Sequence, residues 1–218
     1  MMEHLETVIW DFNGTLIDDL DLVVRTVNTQ LEKRNLSPLT TQDYRDVFGF
    51  PVEDYYRRIG VTFEDETMAE LSADFFADYA PALKDCPLHD DVRDTLELFK
   101  ARVSRQFVLS AMEQGMLRSM IRHLGIDPFF DGVYGLAHQE GDSKVSRAHE
   151  LKQDYGIDPT TSLFIGDTAH DAEVAQALGM SVILISTGHQ SAERLRDTGH
   201  PVVESYQELQ RAVLPHRS

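Results

Sequence analysis

Asp11 ends the apolar run Val8-Ile9-Trp10 and is followed by Phe12-Asn13-Gly14-Thr15. A strand would therefore deliver a carboxylate straight to a turn. Asp167 follows a second run that ends at Ile165, in Gly166-Asp167-Thr168-Ala169-His170-Asp171. Ser110-Ala111 follows a third run ending at Leu109, and Lys144 opens a helix after Gly141-Asp142-Ser143. Two carboxylates in one crevice repel unless a cation lies between them. All-oxygen ligands favour a hard ion, and Mg²⁺ takes one or two carboxylates plus water and substrate phosphate. The Ser110 hydroxyl and the backbone N–H groups after it can face an anion, while Lys144 balances the negative charge. An aspartate can itself be a nucleophile and form an aspartyl-phosphate, with metal, lysine and backbone donors stabilising the moving phosphoryl group.

Taken singly, each residue has a local explanation. An Asp after a strand can close an Asx turn. Ser110 with Glu113 spells a capping box, and Lys144 can be a solvated lysine. Asp167 and Asp171 suit the first turn of a helix, where the dipole favours acids. All four elements in order, each at a strand end or a helix start, outweigh those explanations.

The elements that position them are short. Thr7 to Trp10, Gln106 to Leu109, Leu163 to Ile165 and Val182 to Ile185 are apolar runs of strand length. Leu117, Met120, Ile121 and Leu124 share one helix face, with Gly125 placed to end it. Ala172, Ala175 and Leu178 repeat the pattern ahead of Gly179. Alternation of strand and helix predicts an α/β fold, a doubly wound parallel sheet with a Rossmann-like core. In such sheets ligands bind beyond the carboxyl ends of the strands, where all three polar strand ends would meet.

Residues 18–84 break the alternation and carry no convincing strand. Four helical segments in series are expected. Leu22, Val23, Val27 and Leu31 mark one ending near Asn35, Pro51 opens one closing at Gly60, and Met68, Leu71, Phe75, Tyr79 and Leu83 mark a longer one. This is too much helix for one crossover. It reads as a helical cap (18–84) inserted into a core made of 1–17 and 85–218.

Of 218 residues 42% are hydrophobic, enough for a real core. Lys and Arg number 20 against 37 Asp and Glu, a net charge of −17. That surface repels nucleic acid and anionic membranes, so neither is an expected partner. A phosphorylated substrate would need local positive groups or a metal. Cys86 is the only cysteine, which excludes an intramolecular disulfide and a thiolate metal cluster. The start has neither a basic region nor a long apolar stretch, and no run reaches the ~18 apolar residues of a membrane helix. A cytoplasmic protein is expected, and nothing in the sequence specifies an oligomeric state.

From Val8 to about Leu209 the chain resembles the haloacid dehalogenase-like superfamily of hydrolases, whose four motifs the four elements match. The cap after the first motif is the layout of the phosphoglycolate phosphatase-like and β-phosphoglucomutase-like branches. The resemblance implies an Mg²⁺-dependent phosphatase acting on a small phosphorylated metabolite. It makes Asp11 the nucleophile and a metal ligand, with the Asn13 backbone carbonyl and Asp167 as further ligands. Asp171 would hold a metal-bound water or orient Lys144, and Thr15, Ser110, Ala111 and Lys144 would bind the phosphoryl group.

The usual first motif is D-x-D-G-T, and here it reads D-F-N-G-T. In the family's phosphatases the second Asp protonates the leaving alcohol and then activates the hydrolytic water. Asn13 can orient a water but cannot exchange a proton; acid–base help is typically worth ~10²–10⁴-fold. Three readings follow: a phosphatase with an undemanding leaving group or a relocated base, a weak hydrolase with a long-lived aspartyl-phosphate suited to transfer or sensing, and a phosphate-binding protein. The first is preferred, because the nucleophile, lysine and late acids are retained. A β-phosphoglucomutase-like phosphotransferase needs acid–base help at position 13 and ranks behind it. His170 and His189 are the nearest replacement bases in sequence. In the cap, Arg57 and Arg58 could meet a second anionic group, and Phe48, Phe50, Tyr55 and Tyr56 could line a pocket.

Overall fold

Four residues make the central strand. In the computed structural model, which describes residues 4–137 and 143–213, β1 (Thr7–Trp10) is buried along its whole length, as a strand covered on both faces must be. Val8 and Trp10 enter one core and Ile9 the other, following the two-residue period of a strand. Four helices come next: α1 (Leu20–Lys33), α2 (Thr41–Val47), α3 (Val52–Arg58) and α4 (Met68–Leu83). The rest alternates. It runs α5 (Val92–Lys100), β2 (Arg105–Glu113), α6 (Gln114–His123), β3 (Gly132–Leu136), α7 (Lys144–Tyr155), β4 (Ser162–Gly166), α8 (Ala169–Leu178), β5 (Ser181–Ile185), α9 (Ala192–Asp197), β6 (Val202–Val203) and α10 (Tyr206–Val213).

The sheet order is β3-β2-β1-β4-β5-β6, and every neighbouring pair is parallel. The chain starts in the middle, builds outward through β2 and β3, then crosses back to build β4 to β6. Its direction of growth reverses at β1, where a crevice opens beyond the strand ends. Trp10 pairs with Val108 on one side and Ile165 on the other, so the residues that follow β1, Val108 and Ile165 converge there. The doubly wound α/β fold expected from the alternation is the fold observed. Among the described residues, no helix is long and apolar enough to cross a membrane.

Helices α1 to α4 share the core of one sheet face. Leu22, Val27, Leu31, Tyr44, Tyr55, Leu71 and Tyr79 belong to the same buried cluster as Val8, Trp10 and Ile165. In α4 the spacing of Leu71, Phe75, Tyr79 and Leu83 sets one face, and Phe75 stacks on Tyr79 at 5.2 Å. Thr67 and Glu70 form a reciprocal capping box at the start of α4, as Thr40 and Asp43 do for α2.

One strand differs from expectation. β2 does not end at Leu109 but continues through Glu113, with a register irregularity between those residues against β3. Ser110 is therefore inside a strand, and its hydroxyl accepts from the Met112 N–H at 3.1 Å. It caps no helix. Glu113 caps α6 instead, its carboxylate accepting from the N–H groups of Gly115 and Met116. Gly141 and Asp142 lie outside the described residues.

Candidate active site

Asp11 extends the ladder one residue past β1, its N–H donating to Ile165 O at 2.8 Å. The next turn needs Gly14 at φ +70°, where a Cβ would strike the Asp167 carboxylate and the His189 ring. Asp167 directly follows β4 and is fully buried. One of its oxygens accepts from Thr15 Oγ1 at 2.9 Å, the other from the His189 N–H at 2.6 Å. Asp171 is held by its own helix start: Oδ2 accepts from the N–H groups of Asp167 and Thr168 and from the Thr168 hydroxyl. That leaves Oδ1 to accept from Lys144 Nζ at 2.6 Å. Lys144, the first residue of α7 behind the Ser143 cap, also donates to Asp11 Oδ1.

One oxygen from each of Asp11, Asp167 and Asp171 lies within 4.8 Å of the others. Burial, with repulsion from Asp171 and Asp167, lifts the Asp11 carboxyl well above the usual range against the pull of Lys144. Burial likewise raises Asp167. Burial works on Asp171 too, but the charge and hydrogen bond of Lys144 outweigh it and hold that carboxyl low. Asp11 and Asp171 together overcome burial to raise Lys144. A crevice that keeps one lysine among three acids, and makes two of them harder to ionise, lacks positive charge. Its all-oxygen donor set fits a hard divalent cation.

Beside this cluster is a second buried group, in which Asn13 and His189 meet an acid, Asp19, that sequence reasoning did not place in the site. Asp19 Oδ1 accepts from the Gly14 N–H at 2.9 Å and faces His189 Nε2 at 3.2 Å. Its Oδ2 accepts from Asn13 Nδ2 at 2.9 Å and from the Tyr79 hydroxyl at 2.6 Å. Asn13 Nδ2 also meets Tyr79 Oη at 2.8 Å, and His189 Nδ1 meets Tyr44 Oη at 3.2 Å. Burial would lower the His189 pKa, but Asp19 outweighs it and the imidazole is pushed up to about 9. At neutral pH it is a cation with both ring nitrogens partnered, so it is no ready base. His170 meets Glu173 at 3.0 Å.

These residues close one end of a cavity of about 300 Å³. Asp11, Asn13, Ser110, Ala111 and Lys144 line it; Thr15, Asp167 and Asp171 stand behind that lining. Phe48, Phe50, Tyr55 and Tyr56 line it as expected, whereas Arg57 and Arg58 do not. Arg57 pairs with Glu53 and lies over the Phe63 ring, and Arg58 donates to Asp54 O. The helical side meets the core beside the cavity: Gln190 Nε2 donates to Phe48 O, and Arg45 to Ser186 O and Gln190 O. Asp19 read from sequence as a hinge residue and Tyr79 as part of a helix face; their pairing in the site was missed because both have ordinary local meanings. Gly188 was missed too, although a Cβ there would strike both the Asp167 carboxylate and Gly14 O.

A family model described as haloacid dehalogenase-like hydrolase matches residues 8–185. The chain belongs to the haloacid dehalogenase-like hydrolases. This hydrolase is 24% identical over 195 residues to a phosphoglycolate phosphatase of Synechococcus elongatus, covering 88% of each chain. It is 27% identical over 206 residues to the tyrosine-protein kinase PtkA of Mycobacterium tuberculosis, covering 92% of this chain and 69% of PtkA. A haloacid dehalogenase-like family protein from Streptococcus pneumoniae has the same fold, with a TM-score of 0.82 at 19% identity over 95% of this chain and 98% of that one.

Proposed function

We propose that this hydrolase is an Mg²⁺-dependent phosphatase that cleaves a small phosphate monoester through an aspartyl-phosphate on Asp11. The observation that carries the reading is the buried trio Asp11, Asp167 and Asp171 around Lys144 at one end of the cavity. Its relatives' phosphatase activity is consistent with it. Residues 18–84 act in this reading as a cap over a core of 1–17 and 85–218. Asp11, Asp167 and the Asn13 carbonyl would hold the metal, with Asp171 orienting Lys144. When bound, Mg²⁺ would keep Asp11 ionised and offset charge on the phosphoryl oxygens.

The chain's own residues then divide the work. Asp11 Oδ1 is engaged by Lys144, so Oδ2 forms the new O–P bond as the bond from phosphorus to the leaving oxygen breaks. The leaving group departs as an oxyanion and takes its proton from solvent, because Asn13 has none to give. Lys144 stabilises charge on the phosphoryl group. The Ser110 oxygen accepts from Met112, so its own hydrogen is available to a phosphoryl oxygen. Thr15 acts at one remove, through Asp167. Water then attacks phosphorus, the Asp11–phosphorus bond breaks, and the water's proton passes to the phosphate product.

A phosphate panel with Mg²⁺ tests this: wild type should turn over at least one monoester and Asp11→Ala none. Absence of Mg²⁺-dependent turnover across the panel overturns the reading. Asn13 favours one alternative, a slow hydrolase used for sensing. That alternative is supported if wild type accumulates a phosphate adduct in its intact mass while releasing little free phosphate.

A further inference from the structure

The cavity in front of Asp11 offers aromatic and aliphatic walls and, among the described residues, no disengaged cation. Val23, Val27, Leu71, Phe75, Phe76 and Tyr55 are among its walls. Its positive groups are already committed: Lys144 to Asp11 and Asp171, and His189 to Asp19. His170 pairs with Glu173, and among the described residues no arginine lines the space. A substrate carrying a carboxylate or second phosphate would bury that charge without a partner, at a high cost. Asp19 would add repulsion.

Two further observations point the same way. Among the described residues the exposed large hydrophobic side chains are Phe50, 42% exposed, and Phe76, 51% exposed, and both line this cavity. Asn13, which lines the cavity with Asp11, is an amide tied to Asp19 and Tyr79 and has no proton to give a leaving oxygen. A leaving group here must tolerate departing as an anion. A phenol has a pKa of about 10 and does so far more readily than an alkyl alcohol, which is close to water at about 15.7.

From this combination we infer that the substrate is the phosphate monoester of a phenol, its ring lying against the aromatic walls with the phosphoryl group at Asp11. The inference rests on the phosphatase reading and adds the chemistry of the leaving group. Edge and face contacts with Phe50, Phe75 and Phe76 would hold the ring.

Steady-state kinetics with Mg²⁺ on 1-naphthyl phosphate, 2-phenylethyl phosphate and 2-phosphoglycolate tests it. 1-Naphthyl phosphate should have the highest kcat/KM. 2-Phenylethyl phosphate should keep a similar KM with kcat lower by about 10²-fold or more, as expected for an unprotonated alkoxide. Phe76→Ala, at a half-exposed position that leaves the fold intact, should lower the kcat/KM ratio of 1-naphthyl phosphate to 2-phosphoglycolate about five- to tenfold. If 2-phosphoglycolate is preferred, or Phe76→Ala leaves that ratio unchanged, the aryl assignment falls and the phosphatase stands. If none of the three is hydrolysed, the phosphatase reading falls and takes this one with it.

Discussion

Asn13 keeps its place in the motif and changes its work: its amide joins Asp19 to Tyr79. Asn13→Asp would replace two N–H donations with a carboxylate facing Asp19 across a hydrogen-bond distance. Two such groups share a proton rather than both ionise, and that proton is what an alkyl leaving group lacks. Turnover of alkyl phosphates should rise by about tenfold or more, and that of aryl phosphates much less. Equal gains would sink the leaving-group argument. Cys86 gives a second test at this scale. Burial, with repulsion from Asp19 and Asp18, pushes its thiol up to about 11, so the reactive thiolate is scarce at neutral pH. Alkylation of Cys86 should keep accelerating from pH 7 to pH 10; a rate that levels off near pH 9 would contradict this. Asp11, Lys144, Asp167 and Asp171 were legible because each follows a strand or starts a helix. Asp19 was not: its partners Tyr79 and His189 are 60 and 170 residues away, and such pairings leave no local pattern.

Among the elements, α4 links stability to recognition. Its capping box at Thr67 starts the helix that carries Phe75 and Phe76 into the cavity and Tyr79 to Asp19. Thr67→Ala removes one cap bond of two and should lower the thermal midpoint by about 2–4 °C, measured by calorimetry, with kcat little changed. A loss of kcat as large as that for a Tyr79 variant would mean the cap acts directly on the site. Strands β1, β2, β4 and β5 were readable as apolar runs because they lie inside the sheet. Edge strand β3 contains two glycines in five residues and β6 has two residues in all, so neither has a periodic signal. Helix α2 has one fully buried side chain, Tyr44, and its capping box is a better clue than its hydropathy. The end of β2 was misjudged because pairing with β3 resumes after an irregularity that no composition signals.

At the scale of the whole molecule, excess negative charge reaches from the surface into the site. The chain carries −17 overall, and the crevice gathers Asp11, Asp19, Asp167 and Asp171 against Lys144 and His189. A divalent cation that binds only the folded state should stabilise it. At a hundredfold excess over Kd the gain is about 2.7 kcal/mol, or a rise of about 5–10 °C in Tm for a chain of this size. Asp167→Asn should remove most of that rise, and equal rises in both proteins would place the binding elsewhere. Asn13 and Asp19 also constrain one another. A carboxylate at position 13 alone would set two acids together in a buried crevice, so any gain in rate would come with a loss of stability. Changing Asp19 first would strand His189, whose ring leans on it. The two positions are therefore interlocked: neither Asn13 nor Asp19 can be changed alone without unbalancing charge around His189 and Tyr79.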